Sequence, residues 1–250
     1  ALPIYDWAAM RERYRLDTAG RFAADFEARC LQARDRDWPL TVSFSGPFWQ
    51  LREWCGFEGL CMMMLDDPEL VDEMAAFWTT FVSALLDRVL ARVVPDQIHI
   101  SEDMAYKAKA MISPAMARRF CMPSWVQWSA QARRAGCPLV SVDSDGFIGE
   151  LIPLWIESGV TSCDPIEVAA HNDIVAFRRQ FGHRMAYSGG VDKRCIARGG
   201  SAIRDELKRL EPVMRDGGYI PSCDHGVPPD VSWPNFVEYG RLLAQMTGWL

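Results

Sequence analysis

The chain has 250 residues, 49% hydrophobic and 24% charged, which is enough apolar sequence for one sizeable core and unlike a disordered or fibrous polypeptide. A formal net charge of -6 and a pI near 5.3 exclude a global field that would draw in nucleic acid. No 18-residue stretch is apolar enough to span a bilayer, and the start lacks the basic head and apolar run of a secretory signal. The eight cysteines, at 30, 55, 61, 121, 137, 163, 195 and 223, form no CxxC pair and read as reduced residues of a cytoplasmic protein. The beginning Ala1-Leu2-Pro3 lacks an initiator Met, leaving processing, a disordered start or truncation open.

Residues 6–36 read as mainly helical and strongly charged. Leu40 to Phe44 is a short apolar strand, with Gly46-Pro47 as its loop. Asp66-Asp67-Pro68 announces a long helix over Glu69 to Val93, in which Leu70, Met74, Phe77, Phe81 and Leu85 share an apolar packing face. Gln97 to Ser101 is the next strand, running into Glu102 and Asp103. Ser113-Pro114 opens a helix to Arg134, and Pro138 to Val142 is a strand that leaves through Asp143-Ser144-Asp145-Gly146. A helical segment follows to about Ser158, then a strand over Val160 to Cys163 with Asp164-Pro165 beyond. A helix reaching Phe181, a strand over Arg184 to Ser188 with a Gly189-Gly190 exit, a helix over 200–216 and a strand over Gly218 to Ser222 complete the pattern. Six strands alternating with helices predict a parallel α/β fold, whose chemistry gathers at the C-terminal strand ends. An open doubly wound sheet is the alternative topology. There is no glycine-rich dinucleotide fingerprint and no complete phosphate loop.

The strand exits supply the candidate site. Asp143 and Asp145, two residues apart, fall on one face of an extended strand, where they can hold a metal, orient a cation or exchange protons; Gly146 lets the backbone pass close beneath a ligand. A turn-capping role is the structural alternative for Asp-Ser-Asp-Gly. In Cys223-Asp224-His225-Gly226, Cys223 can act as a zinc thiolate or a packed thiol, and His225 as a metal ligand or proton carrier. Glu102 and Asp103 join the acidic pocket, while His99, Tyr106 and Lys107 are substrate-binding candidates. Cys163 and Glu167 form a further strand-end group, and Asp192 is a pocket wall or a helix cap.

Four blocks carry a resemblance: His99-Ile100-Ser101-Glu102-Asp103-Met104-Ala105-Tyr106-Lys107, Val142-Asp143-Ser144-Asp145-Gly146, Ser188-Gly189-Gly190-Val191-Asp192 and Tyr219-Ile220-Pro221-Ser222-Cys223-Asp224-His225-Gly226. The sequence resembles the uroporphyrinogen decarboxylase superfamily, closer to its corrinoid-linked methyltransferase-like members than to the authentic decarboxylase. That resemblance implies a TIM-type (β/α)8 barrel in one domain over residues 1–250. The arginine-rich substrate segment and the strand bearing the family's central Asp have no counterpart here, which implies an N-terminally incomplete barrel lacking its first two strands.

In the methyltransferase branch a His-x-Cys pair and a later Cys bind zinc. Asp143 and Asp145 fall at the positions of that pair and Cys223 at the later Cys. The implied metal set is Asp143, Asp145 and Cys223, with His225 or Glu102 completing it around zinc or another divalent ion. Metal-assisted methyl transfer with a small methyl donor or acceptor follows, the corrinoid coming from a partner protein. The catalytic set is Asp143, Asp145, Cys223, His225 and Glu102. Decarboxylation of an acidic tetrapyrrole is the enzymatic alternative, and a ligand- or corrinoid-binding subunit the non-enzymatic one. A homodimer fits the resembled family; membrane and nucleic-acid partners are not expected.

Overall fold

The computed structural model describes residues 7–250, and the chain divides into two compact units. The first comprises residues 7–102, 112–142 and 157–160. The expected charged helical start resolves into two short helices, α1 (Trp7–Glu12) and α2 (Phe26–Gln32), separated by turns. Strand β1 (Thr41–Ser45) leads through Gly46 into α3 (Pro47–Cys55), and α4 (Phe57–Asp66) and α5 (Pro68–Leu90) follow. Gly46-Pro47 is therefore a helix start rather than a loop, because proline at N1 loses no intrahelical bond and its fixed φ suits the first turn. On α5, Asp67 caps the Leu70 N–H at 3.3 Å. The buried face runs through Val71, Met74, Ala75, Trp78, Phe81 and Val82, while Leu70 and Leu85 are only half-buried.

Strand β2 (Gln97–Ser101) pairs in parallel with β1, Thr41 opposite Gln97 and Ser45 opposite Ser101. The predicted single helix over 113–134 is two, α6 (Pro114–Phe120) and α7 (Met122–Ala135), joined at Cys121. Pro123 causes the break: it lacks an N–H, and its ring would collide with the carbonyl four residues earlier in a continuous helix. Strand β3 spans Leu139–Asp143. The core of this unit is aromatic. Trp125 and Trp128 are fully buried, Phe44 lies 5.0 Å from Trp128, and Thr79 joins Ser124 by a 2.6 Å hydroxyl bond between α5 and α7.

The second unit comprises residues 103–111, 143–156 and 161–250. Its ordered elements are α8 (Ile152–Glu157), β4 (Ser162–Asp164), α9 (Ile174–Phe181), β5 (Ala186–Val191), α10 (Lys193–Arg198), α11 (Ser201–Asp216), β6 (Tyr219–Cys223) and α12 (Trp233–Thr247). The helices after β3 and β4 are shorter than the sequence suggested, since residues 147–151 are turn and irregular chain and residues 165–173 form only a three-residue 3-10 helix, Val168–Ala170, within irregular chain. The chain after β6 carries Pro228, Pro229 and Pro234. Ser232 caps the Asn235 N–H and Pro234 occupies the first turn of α12, so that segment is a helix of 15 residues.

Strands β4 and β5 pair in parallel with Cys163 opposite Tyr187, as do β5 and β6 with Val191 opposite Cys223. Within the first unit β1 and β2 are parallel neighbours, and within the second β4, β5 and β6 follow one another in chain order. That order is the α/β arrangement expected from the alternation, and it places the exits of the paired parallel strands together.

Candidate active site

Parallel register builds the site. Because Val191 lies beside Cys223, the segments leaving β5 and β6 emerge side by side, and the Asp224 N–H extends the ladder to the Val191 carbonyl at 2.9 Å. Asp224 is fully buried. Its two carboxylate oxygens accept from the Val168 N–H at 2.9 Å and the Lys193 N–H at 3.2 Å. The Lys193 ammonium lies 3.2 Å from Glu167 Oε1 and 3.9 Å from Asp224 Oδ1. Glu167 Oε2 in turn accepts from the Gly146 N–H at 3.2 Å. The turns after β3, β4, β5 and β6 are thus tied by carboxylate-to-backbone bonds around one ammonium group.

Burial raises the pKa of Asp224, while the Val168 and Lys193 N–H groups and the Lys193 ammonium pull it back. Truncation tests its structural share. Asp224→Ala leaves two backbone donors without acceptors and is expected to cost about 2 kcal/mol or more of stability, read as a lower urea midpoint. An unchanged midpoint would mean that water replaces the carboxylate at no cost.

At the outer edge of this network His225 Nε2 lies 3.2 Å from Asp145 Oδ2. Both side chains are about half exposed, at 48% and 42%. Burial pushes the Asp145 carboxyl above its usual range; His225 opposes the shift, and the Asp103 and Glu167 carboxylates add to it. Asp145 and His225 therefore form a solvent-accessible acid–base pair, with Asp103 and Glu167 near enough to act on it electrostatically.

The turn itself differs from its sequence reading. Strand β3 ends at Asp143, so the two-residue alternation that set Asp143 and Asp145 on one face stops before Asp145. Gly146 has φ +78°, and an added Cβ would strike the carbonyl of Ala105. Its small size thus admits the 103–111 backbone rather than a ligand. That segment is pinned to the turn by Asp103 N–H to Asp143 O at 3.2 Å and Phe147 N–H to Tyr106 O at 2.7 Å.

Other candidates are placed differently. Glu102 is fully buried in the first unit and accepts from the Phe48 and Trp49 N–H groups at 3.0 and 3.2 Å and from Trp125 Nε1 at 2.5 Å. Its carboxylate caps the start of α3 from within the core. His99 lies inside β2 with Nδ1 2.8 Å from Ser141 Oγ, not at a strand exit. Cys163 is fully buried and burial pushes its thiol far up, so it is packing rather than a substrate contact. Asp192 caps α10 through the Arg194 N–H at 2.9 Å and is forked by the Arg194 side chain, the helix-cap alternative of its sequence reading. Tyr106 and Lys107 are exposed on the 103–111 segment. Burial raises the Cys223 thiol, with Lys193 opposing, and it is not a ready thiolate.

Among the described residues, no three His, Cys, Asp or Glu side chains converge to hold a metal ion. The donor set Asp143, Asp145 and Cys223 does not assemble, so no step is derived through zinc. Lys193 and Asp224 are the contributors that sequence reasoning missed. Their signals were present as the residues directly after the β5 and β6 exits, but their partners lie on other strands.

These features define a parallel α/β protein with an acid–base pair and a buried carboxylate–ammonium network at its strand ends. The chain belongs to the uroporphyrinogen decarboxylase (URO-D) family, whose sequence profile matches residues 7–238. Among solved structures it is similar to a methyltransferase from Methanosarcina mazei, with a TM-score of 0.65 at 13% identity over 88% of this chain. The chain spans 63% of that protein's length, and at this identity the likeness is one of fold. No curated protein matches the sequence significantly. Among the described residues no helix is long and apolar enough to cross a membrane.

Proposed function

We propose that the chain acts in methyl transfer with a small methyl donor or acceptor, the corrinoid being brought by a partner protein. The observation that carries this reading is the His225–Asp145 pair, 3.2 Å apart, in a strand-end setting dominated by carboxylates. The corrinoid would supply the cobalt centre that takes up or delivers the methyl group. On the protein side, Nε2 of His225 is bound to Asp145, which leaves Nδ1 to exchange a proton. When a heteroatom gives up its methyl group it keeps the electron pair of the broken bond, and the His225 imidazolium donates a proton to it. Asp145 stabilises that imidazolium and fixes its orientation. Exposure of His225 lets solvent restore the proton.

Charge favours this reading over decarboxylation of an acidic tetrapyrrole. Asp103 and Glu167 add their negative charge to Asp145 beside His225, and a substrate bearing several carboxylates meets like charge there. A neutral or cationic methyl compound does not.

Cob(I)alamin as a surrogate acceptor, offered with representative O-, S- and N-methyl compounds, tests the proposal through the appearance of methylcobalamin. Turnover with at least one donor, lost in His225→Gln, is expected. Absence of transfer together with carbon dioxide release from uroporphyrinogen would replace it with the decarboxylase reading. Transfer indifferent to both Asp145→Asn and His225→Gln would remove the pair from the chemistry, and no transfer from any donor with retained corrinoid-protein association would make the chain a binding subunit.

A further inference from the structure

A cavity of about 600 Å³ lies within the first unit at the exit of β1, lined among others by Arg13, Tyr14, Ser45, Trp49, Glu53 and Trp54. That volume is in the range of small-molecule sites, which commonly combine aromatic walls with a few polar groups. Its walls are held in place. Trp54 Nε1 donates to the Tyr14 hydroxyl at 2.8 Å with the rings edge to face, and Trp78 Nε1 fixes the Ser45 carbonyl at 2.9 Å. The Arg52 guanidinium stacks 4.5 Å from the Trp49 ring, steadying that side chain.

The charged groups divide into committed and uncommitted ones. Arg21, also on the lining, is spent on the carbonyls of Arg13 and Arg15 and on the Phe81 face. The N-terminal N–H groups of α3 are taken by Glu102 and are closed to an incoming anion. Arg13 and Glu53 remain, one of each sign on the same cavity, and neither side chain has a hydrogen-bond or ion-pair partner among the described residues.

We propose that this cavity binds a small zwitterion of amino-acid type with an aromatic or apolar body. Its carboxylate pairs with Arg13, its ammonium with Glu53, and its body lies against Trp49. A guanidinium matches a carboxylate bidentately, and aromatic faces accept both apolar and cationic groups. A simple anion would meet Glu53, and a simple cation would meet Arg13; only a molecule carrying both charges satisfies both walls. The proposal is independent of the methyl-transfer reading.

Calorimetric titration with L-phenylalanine, 3-phenylpropionate and phenethylamine separates the terms, because the last two each lack one charge. Phenylalanine is expected to bind about tenfold or more tightly than either. Arg13→Gln should reduce it to the phenethylamine level, Glu53→Gln to the phenylpropionate level, and Trp49→Ala should weaken all three. Arg13 and Glu53 are exposed, so both charge variants should fold, which unchanged melting curves verify. Equal affinity for the three probes, no binding of phenylalanine at millimolar concentration, or phenylalanine binding unaltered in both charge variants would overturn it.

Discussion

Glu102→Ala is expected to lower stability by at least about 3 kcal/mol, the largest single effect anticipated in this chain. Three donors converge on that carboxylate, the N–H groups of Phe48 and Trp49 and the indole of Trp125. Truncation strands all three in a site from which water is excluded. Glu102→Gln keeps one oxygen acceptor but turns an amide N–H toward another N–H, and should fall between wild type and alanine. Gly46 makes the approach feasible, since a Cβ there would collide with the Glu102 carboxyl, so Gly46→Ala should resemble Glu102→Ala. Urea unfolding monitored by tryptophan fluorescence reads all three. A loss under about 1 kcal/mol for Glu102→Ala would show that the start of α3 is capped by other means.

The second large effect lies in turnover. His225→Gln is expected to reduce methyl transfer by about 10²- to 10⁴-fold, the usual contribution of a positioned acid–base group, and Asp145→Asn by less, because the imidazole remains. The pH dependence carries a sign. The Asp145 pKa is raised by burial and by neighbouring carboxylates, so the carboxylate is lost on acidification at a higher pH than an ordinary Asp would set. Its support for the His225 imidazolium fails there, and the acid limb of the rate profile should lie above the ordinary Asp range and disappear in Asp145→Asn. Stability runs oppositely. A raised folded-state pKa means that the protonated form is favoured by folding, a contribution fully present below the unfolded pKa and lost as pH rises through the folded one. Asp145→Asn should therefore melt no lower than wild type at neutral pH. A variant both inactive and less stable would indicate a structural role for Asp145.

What could be read from sequence follows how local each interaction is. Strand β2 was legible because its burial alternates residue by residue from Gln97 to Ser101, and the long helix α5 because Asp67-Pro68 starts it. The start of α3 was not, since its capping carboxylate comes from Glu102, 54 positions beyond Phe48. The same distance hides the capping role of Glu102, whose place after a strand resembles that of a catalytic acid. His225 and Asp145 were legible as exits and meet across 80 positions. Lys193 reaches Glu167 across 26, a pairing that only strand register creates. Cys163 and Cys223 are alike in sequence context, yet one is sealed beneath Tyr187 by register and the other half-buried.

Asp224 also bears on how this mouth can diverge. It is sealed from solvent and binds backbone N–H groups of Val168 and Lys193, so the turns after β4 and β5 are anchored without using the side chains they display. Residues 225–227, immediately after it, are exposed. Replacement there changes what the mouth presents while its frame stays put. A library randomised at 225–227 with Asp224 fixed should retain folded members widely, whereas one that frees Asp224 should collapse back onto aspartate among its folded survivors.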